Sequence, residues 1–392
     1  MVRYMAILSV VAIYETLIVL SFTHSYYDKS SRNRQGEINV MALGDWGAPD
    51  DGTYMIQNQK SVAAIMNSWT EKHGACHVLD LGDSFYPYGV RTFNRTERLE
   101  VSYVEVYKEL HKEVIEWSGV YGNHDFGQGA PLCIQKVIVD VGADVDVDDD
   151  KFTLERITCD TKEKVIEALN DMAEAQTGYA KENKLWHAKK NFYTETFTND
   201  DLVVDLPKTG EKTCTAKPDV VKACVDHLNN WEDKSFEMVE AKACVSKADY
   251  KVLVSHYNVL MHMDVEKQKR WLNLFKECGI TLSLNGHDHT MAYHKYEYTT
   301  YLTSGNGGGI KARALSRGTK NSENAFLWQQ EEEKLSYGFL ALSFTKKEIT
   351  AQFVVVDAGP NEAYKVIHTV NIPRVAHDAP FSSKNVSNLQ TS

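Results

Sequence analysis

Positive charge is what this chain lacks most. Its 43 lysines and arginines face 54 aspartates and glutamates, a net charge of −11. No basic stripe offsets that balance, which excludes a general nucleic-acid binder, because counterion release needs a basic footprint. Long apolar runs are equally scarce. Beyond Phe22 no segment approaches the roughly 20 apolar residues that a spanning helix requires, so any membrane attachment is confined to the start of the chain. No internal repeat at a fixed period is present. An even cysteine count is missing too: with 7 cysteines (Cys76, Cys133, Cys159, Cys214, Cys224, Cys244 and Cys278), at least one stays unpaired or pairs between chains in an oxidising compartment. What the chain does have is 43% hydrophobic residues over 392 positions, enough to bury the core of one large domain or two ordinary ones.

The exception to the scarcity of apolar runs is Met5 to Phe22, preceded by the single positive charge of Arg3. This reads as a secretory signal peptide over residues 1–27, with an uncleaved membrane anchor as the alternative. Glu15 inside it weakens a spanning role, since a carboxylate is costly at mid-bilayer. Secretion or a lumenal location is therefore expected, or tethering by this segment. Asn94-Arg95-Thr96 and Asn385-Val386-Ser387 are glycosylation sequons that agree with it. Cys214, Cys224 and Cys244 fall in a polar middle region, where a disulfide would pin a loop-rich insertion.

From residue 38 the hydrophobic pattern switches repeatedly between short apolar runs and helical periodicity. Strands are predicted at Ile38–Leu43, Val78–Leu81 and Val114–Tyr121, with helices over 57–72 and 101–112 between them, an α/β signature. The acidic run Ala143 to Asp150 lacks the spaced glycine and terminal glutamate of a calcium loop and reads as solvated loop. Helix-favouring sequence over 161–188, a strand at 202–206 and a helix over 224–242 follow. The rhythm resumes with a strand at 250–255, a helix over 265–278 ended by Gly279, and a strand at 280–284. Alternation over 337–345 and 349–356 suggests antiparallel strands closing a second sheet. One domain over 36–372 results, with a divergent insertion at 133–250 and a polar tail at 373–392.

The chemistry sits at strand ends. Gly44-Asp45-Trp46-Gly47, Gly82-Asp83-Ser84-Phe85-Tyr86, Gly122-Asn123-His124-Asp125, Ser255-His256-Tyr257 and Gly286-His287-Asp288-His289 each follow an apolar, strand-like run. A lone Gly-Asp is usually a turn and a lone histidine usually scaffold, but five such clusters in order change the odds. In open α/β sheets ligands bind beyond the carboxyl ends of strands, so the five converge. Carboxylate, phenol, amide and imidazole donors suit iron, zinc or manganese, not a soft thiolate site. Asp83 can offer one oxygen to each of two ions, and paired ions about 3.5–4 Å apart act on phosphate esters. The glycine-rich stretch Ser304 to Gly309, followed by Lys311 and Arg313, reads either as a backbone cradle for phosphate or as plain loop.

Taken together these five clusters resemble the ordered motifs of the metallophosphoesterase superfamily, and specifically of the purple acid phosphatases, including the tartrate-resistant type. Gly47, where other superfamily members carry histidine, and Tyr86 make it similar to the purple acid type. The resemblance implies an α+β sandwich of two packed mixed β-sheets flanked by helices, with the metal site at the strand C-terminal ends. It implies that Asp45, Tyr86 and His289 hold Fe(III), that Asp83 bridges, and that Asn123, His256 and His287 complete a divalent site for Fe, Zn or Mn. His124 becomes the candidate acid for the leaving alkoxide. His262 is the nearest candidate for a second catalytic histidine, although its offset differs from the family's. Ser84, Asn258 and Ala48 also depart from common family residues. The activity implied is hydrolysis of phosphate monoesters, on small molecules or phosphoproteins, by attack of metal-bound hydroxide without a covalent intermediate. The alternatives are a phosphodiesterase or nucleotide pyrophosphatase, or a non-catalytic membrane-anchored receptor on the same fold. The sequence leaves the oligomeric state open.

Overall fold

In the computed structural model the described residues are 37–48, 54–113, 115–126, 134–138, 153–156, 159, 161–186, 193–197, 200–204, 218–246, 248–313, 315, 325–331, 334–357 and 363–374. The segment 1–27, the acidic run, Cys133, Cys214 and the Asn385 sequon lie outside them. Among the described residues no helix is long and apolar enough to cross a membrane.

The chain runs through β1 (Ile38–Leu43), α1 (Tyr54–His73), β2 (His77–Asp80), the short helices α2 (Arg95–Leu99) and α3 (Lys108–Lys112), and β3 (Glu116–Gly119). The middle contributes β4 (Ile134–Ile138), β5 (Thr153–Arg156), α4 (Lys162–Tyr179), β6 (Tyr193–Phe197), β7 (Asp200–Val204) and α5 (Pro218–Ala243). There follow β8 (Tyr250–Val254), α6 (Val259–His262), α7 (Val265–Cys278), β9 (Leu282–Asn285), β10 (Met291–Tyr296) and β11 (Thr299–Ser304). The last strands are β12 (Phe326–Gln329), β13 (Gly338–Phe344), β14 (Glu348–Val356) and β15 (Tyr364–Pro373).

Two mixed sheets pack face to face. One has six strands in the order β15-β14-β13-β1-β2-β3, the other seven in the order β12-β10-β11-β9-β8-β7-β6. Alternation along each strand explains the layers. Val40, Ala42, Leu79 and Leu81 point to the space between the sheets and meet Val252, Val254, Leu282 and Leu302 from the other side. Met41, Leu43 and Val78 point outward and are covered by Val62, Met66 and Trp69 of α1. On the second sheet Leu253 is covered by Trp271, Leu274 and Phe275 of α7. Central strands buried on both faces read as unbroken apolar runs, and each such side chain taken fully from water stabilises the fold by about 1.5–3 kcal/mol.

Local signals set α7 where the sequence predicts it: Asp264 accepts the Lys267 N–H at 3.0 Å at one end, and Gly279 takes φ 69° at the other, the conformation glycine adopts without strain. Elsewhere the structure differs. The helix expected over 101–112 is split, with a π-helical turn at Glu100–Val104 between α2 and α3. There the Glu105 N–H reaches back to the Glu100 carbonyl, and the extra residue lets Tyr103 and Tyr107 both face Trp46. The strands expected to close the second sheet join the first instead, β13 pairing antiparallel with β1 from Ile38↔Phe344 to Ala42↔Leu340. Phe339, Ala341 and Val354 on their outer face need a cover, and α1 provides it.

Cys244, just past α5, is bonded to Cys278 at the end of α7 over a separation of 34 residues. This ties the middle region to the sandwich. Replacing both cysteines by serine is expected to cost about 3–4 kcal/mol by relaxing the unfolded chain. A urea midpoint unchanged under non-reducing conditions would contradict it.

Candidate metal centre

All five strand-end clusters meet at one edge of the sandwich. Each carboxylate has one oxygen seated on the backbone and one turned inward. Asp83 accepts the His124 N–H on Oδ1 at 2.8 Å, and Asp45 accepts the His287 N–H on Oδ2 at 2.9 Å. The Tyr86 hydroxyl stands between the two free oxygens, 2.8 Å from Asp45 Oδ1 and 3.0 Å from Asp83 Oδ2. His256 Nε2 lies 3.3 Å from Asp83 Oδ2 and 3.1 Å from Asn123 Oδ1. His289 Nε2 lies 3.6 Å from Asp45 Oδ1. Ligand atoms of Asp83, His256 and His287 all fall within 4.8 Å of one another.

The backbone is bent to achieve this. Asp45, Asp83 and His287 have φ of 59°, 54° and 67°, a left-handed region that costs a residue with a side chain energy and that clusters at functional sites. Gly122 is required beside them because a Cβ there would strike the Asp83 carboxylate. Gly47 has no room for any side chain, since a Cβ would land on the Ser84 carbonyl, and its own carbonyl accepts the Tyr86 N–H at 2.9 Å. The tyrosine and the missing histidine are thus one feature.

Donor counting shows that the residues fit a cation. One phenol proton cannot serve two carboxylates at once. His256 Nδ1 lies 2.8 Å from the Leu81 carbonyl, which only an N–H can satisfy, so a neutral ring presents a bare Nε2 to two oxygen acceptors. His287 Nδ1 is buried with no hydrogen-bond partner. Four oxygens, from Asp45, Asp83, Tyr86 and Asn123, and the imidazoles of His256, His287 and His289 converging in one buried space is a ligand arrangement.

Where no cation sits, a proton on His256 stands in for it. Burial would lower the His256 pKa, but the Asp83 carboxylate outweighs it and pushes it up to about 9. Burial likewise would raise Asp83, yet the His256 and His124 rings hold its pKa below the usual carboxylate range. Burial and then Asp45 and Asp83 push the Tyr86 phenol well up, so it ionises only if a cation takes the proton's place. His289 is held down to about 4 by burial first, then by His124, with Arg313 contributing.

His124 and His262 differ in which nitrogen is available. His124 Nδ1 is 2.7 Å from the Pro87 carbonyl, which fixes Nδ1–H and leaves Nε2 open, and the ring lies 4.3 Å from that of Tyr86. His262 Nδ1 accepts the Asn258 N–H at 3.1 Å, so its proton is on Nε2, which faces Asp288 Oδ2 at 3.3 Å. Its ring lies 4.7 Å from that of His287. A proline at position 258 would have no N–H to give to this ring.

The sequence reading missed the residues that hold these loops. Asp125 accepts N–H groups from Gly122, Asp83, Ser84 and the Gln176 amide at 2.6–3.2 Å, joining two loops to α4. Asp80 accepts from Trp46 Nε1, the Gly82 N–H and the Ser84 hydroxyl. Tyr257 donates to Asn123 Oδ1 at 3.0 Å. Asp125 and Tyr257 stand inside the motifs, which was the available signal.

Comparison with known proteins points the same way. The calcineurin-like phosphoesterase profile matches residues 38–291. Tartrate-resistant acid phosphatase type 5 of Oryctolagus cuniculus is 22% identical over 338 residues, 81% of this chain and 87% of that protein. Purple acid phosphatase 7 of Arabidopsis thaliana is 23% identical over 353 residues, 85% of this chain and 87% of that protein. Among solved structures, GAP50, the anchor in the inner membrane complex of Plasmodium, shares the fold with a TM-score of 0.56 at 14% identity, covering 87% of this chain and 90% of that one.

Proposed function

The chain belongs to the calcineurin-like phosphoesterase family, and from that premise we propose that it hydrolyses phosphate monoesters at a two-metal centre of the purple acid phosphatase kind. The observation that carries this is Tyr86 between Asp45 and Asp83, a hard, anionic oxygen set suited to a trivalent ion. Asp45, Tyr86 and His289 would hold Fe(III), Asp83 both ions, and Asn123, His256 and His287 a divalent Fe, Zn or Mn. Such ions supply Lewis acidity toward phosphoryl oxygens and acidify water so that it is nucleophilic at low pH.

The protein's own groups do the rest. The backbone N–H of His124 holds Asp83 Oδ1, and the Pro87 carbonyl holds the ring. Only Nε2 of His124 is free to exchange a proton, and it is the atom that protonates the leaving alkoxide. His262 keeps its proton on Nε2 beside Asp288 and packs on His287, a positioning role. A secreted or lumenal location fits the Cys244–Cys278 bond, since disulfides persist in oxidising compartments. The substrates are small phosphate monoesters or phosphoproteins, not nucleic acid.

The test is turnover of an aryl phosphate and of the matching bis-aryl phosphate at pH 5 by iron- and zinc-loaded protein. Faster monoester cleavage supports the reading, and faster diester cleavage replaces it with the phosphodiesterase one. Fully loaded protein that cleaves neither overturns both. Tyr86→Phe is expected to remove the visible tyrosinate-to-iron absorption while leaving the circular dichroism spectrum in place. An unchanged visible band would take Tyr86 out of the centre.

A further inference from the structure

The glycine-rich turn after β11 is loop and not cradle, because the N–H groups of Gly305, Gly307 and Gly309 are spent on the Thr290, Gly44 and Asp45 carbonyls at 2.9–3.0 Å. Spare bonding capacity gathers elsewhere, at the far end of the first sheet. α1 covers the outer face of that sheet over Met41 and Phe339 and ends at His73. Toward that end the same face turns polar, with Asn39 beside Ser343 and the small Ala341 beside Gln352. A cavity of about 230 Å³ opens there, floored by these four strand residues and walled by Trp69 and Lys72 of α1. Glu37, just before β1, completes the lining. Asn39 lies six residues before Asp45, roughly 20 Å along extended chain, so the cavity is separate from the metal centre.

Its charges are uncommitted. Glu37 accepts the Ser343 hydroxyl on Oε1 and meets no cation among the described residues. Lys72 meets no carboxylate among them, and its ammonium lies 5.7 Å from the centre of the Tyr364 ring. Asn39 donates its amide to the His73 carbonyl at 3.1 Å, which leaves Oδ1 to accept. Gln352 brings an amide donor and an amide acceptor.

We propose that this cavity binds a small zwitterion, an α-amino acid with an apolar side chain, its ammonium on Glu37 and Asn39 and its carboxylate on Lys72 and Gln352. A simple anion meets Glu37 and a simple cation meets Lys72, each a like-charge contact. A ligand with both charges satisfies both walls. Its carbon skeleton rests on Trp69 and Ala341, which are buried and give the apolar part of the lining. A volume below that of drug-sized ligand sites suits a molecule as small as leucine. The site does not depend on the phosphatase reading.

Calorimetric titration of L-leucine into metal-loaded and chelator-treated protein tests this. Binding with the same affinity in both forms is expected. 4-Methylpentanoate and 3-methylbutylamine, which are leucine without its ammonium and without its carboxylate, are expected to bind about 10- to 100-fold more weakly, the size of one charge-assisted hydrogen bond. Glu37→Gln keeps an acceptor for Ser343 and removes the charge, and Lys72→Met keeps a stem without the ammonium. Each is expected to weaken leucine binding by about the same factor with an unchanged thermal melt. The two analogues are measured on wild type, so the test does not hang on either variant folding. Wild type that binds no leucine overturns the site. So does binding that vanishes with the metal, survives both substitutions, or is matched by the acid or the amine.

Discussion

An Asp83→Asn protein is expected to fold normally, lose most of its bound metal and lose on the order of 10³-fold in turnover, about 4 kcal/mol of transition-state stabilisation. Folding survives because Asp83 sits at φ 54°, where asparagine is among the residues best tolerated. The Asn amide also has an oxygen that can accept the His124 N–H now held by Oδ1. What it loses is charge on the inward atom, the one facing Tyr86 and His256. An amide nitrogen there turns donors toward the cation. Metal analysis, a thermal melt and turnover of one sample separate the effects. Full metal content with intact turnover would show that Asp83 only shapes the loop.

Trp46→Ala is expected to lower the unfolding free energy by about 4–8 kcal/mol in urea melts. The indole is fully buried, edge-on to Phe85, Tyr107, Trp117 and Trp186 at 5.4–6.3 Å between centroids. A cavity of that size costs about 3–5 kcal/mol, and stripping the 2.9 Å bond from Nε1 to Asp80 adds about 1–3 kcal/mol against a total of about 5–15 kcal/mol. Trp46→Phe keeps an aromatic ring in the pocket while removing the N–H bonded to Asp80. Burial pushes the Asp80 carboxyl up to about 6, against the Ser84 and Trp46 donors that lower it. Its folded pKa is above its unfolded value, so the stability it contributes is present below about 3.8 and is lost as pH rises through about 6. Removing the indole N–H raises that pKa further. The variant should therefore fall further below wild type at pH 7.5 than at pH 4.5 in urea melts. Equal losses at both would mean that the bond to Asp80 carries no charge-dependent stability.

The elements that the sequence reveals are those whose cause is local. β1 and β9 follow from apolar runs, and α7 from Asp264 and Gly279 at its ends. The converging loops were legible for the same reason, each cluster standing at the end of its own strand, and Asp45, Asp83, Tyr86, Asn123, His256, His287 and His289 do come together. Partnership across the chain was not legible. Alternation in 338–344 announces a strand, but pairing with 38–42 depends on which outer face α1 covers. Nor does spacing disclose that Asn258 turns the His262 ring around through its N–H, or that α4 reaches Asp125 with Gln176. Those facts exist only once distant backbones are adjacent.

Gly47 limits how this site can be re-engineered. A histidine introduced there to build an imidazole-bound first metal meets the Ser84 carbonyl before its ring is even placed. Any conversion must first displace the strand-end loop 82–86, and that loop carries Asp83 and Tyr86. The substitution and the backbone shift are each damaging alone, so a designer, or a lineage, has to make both together.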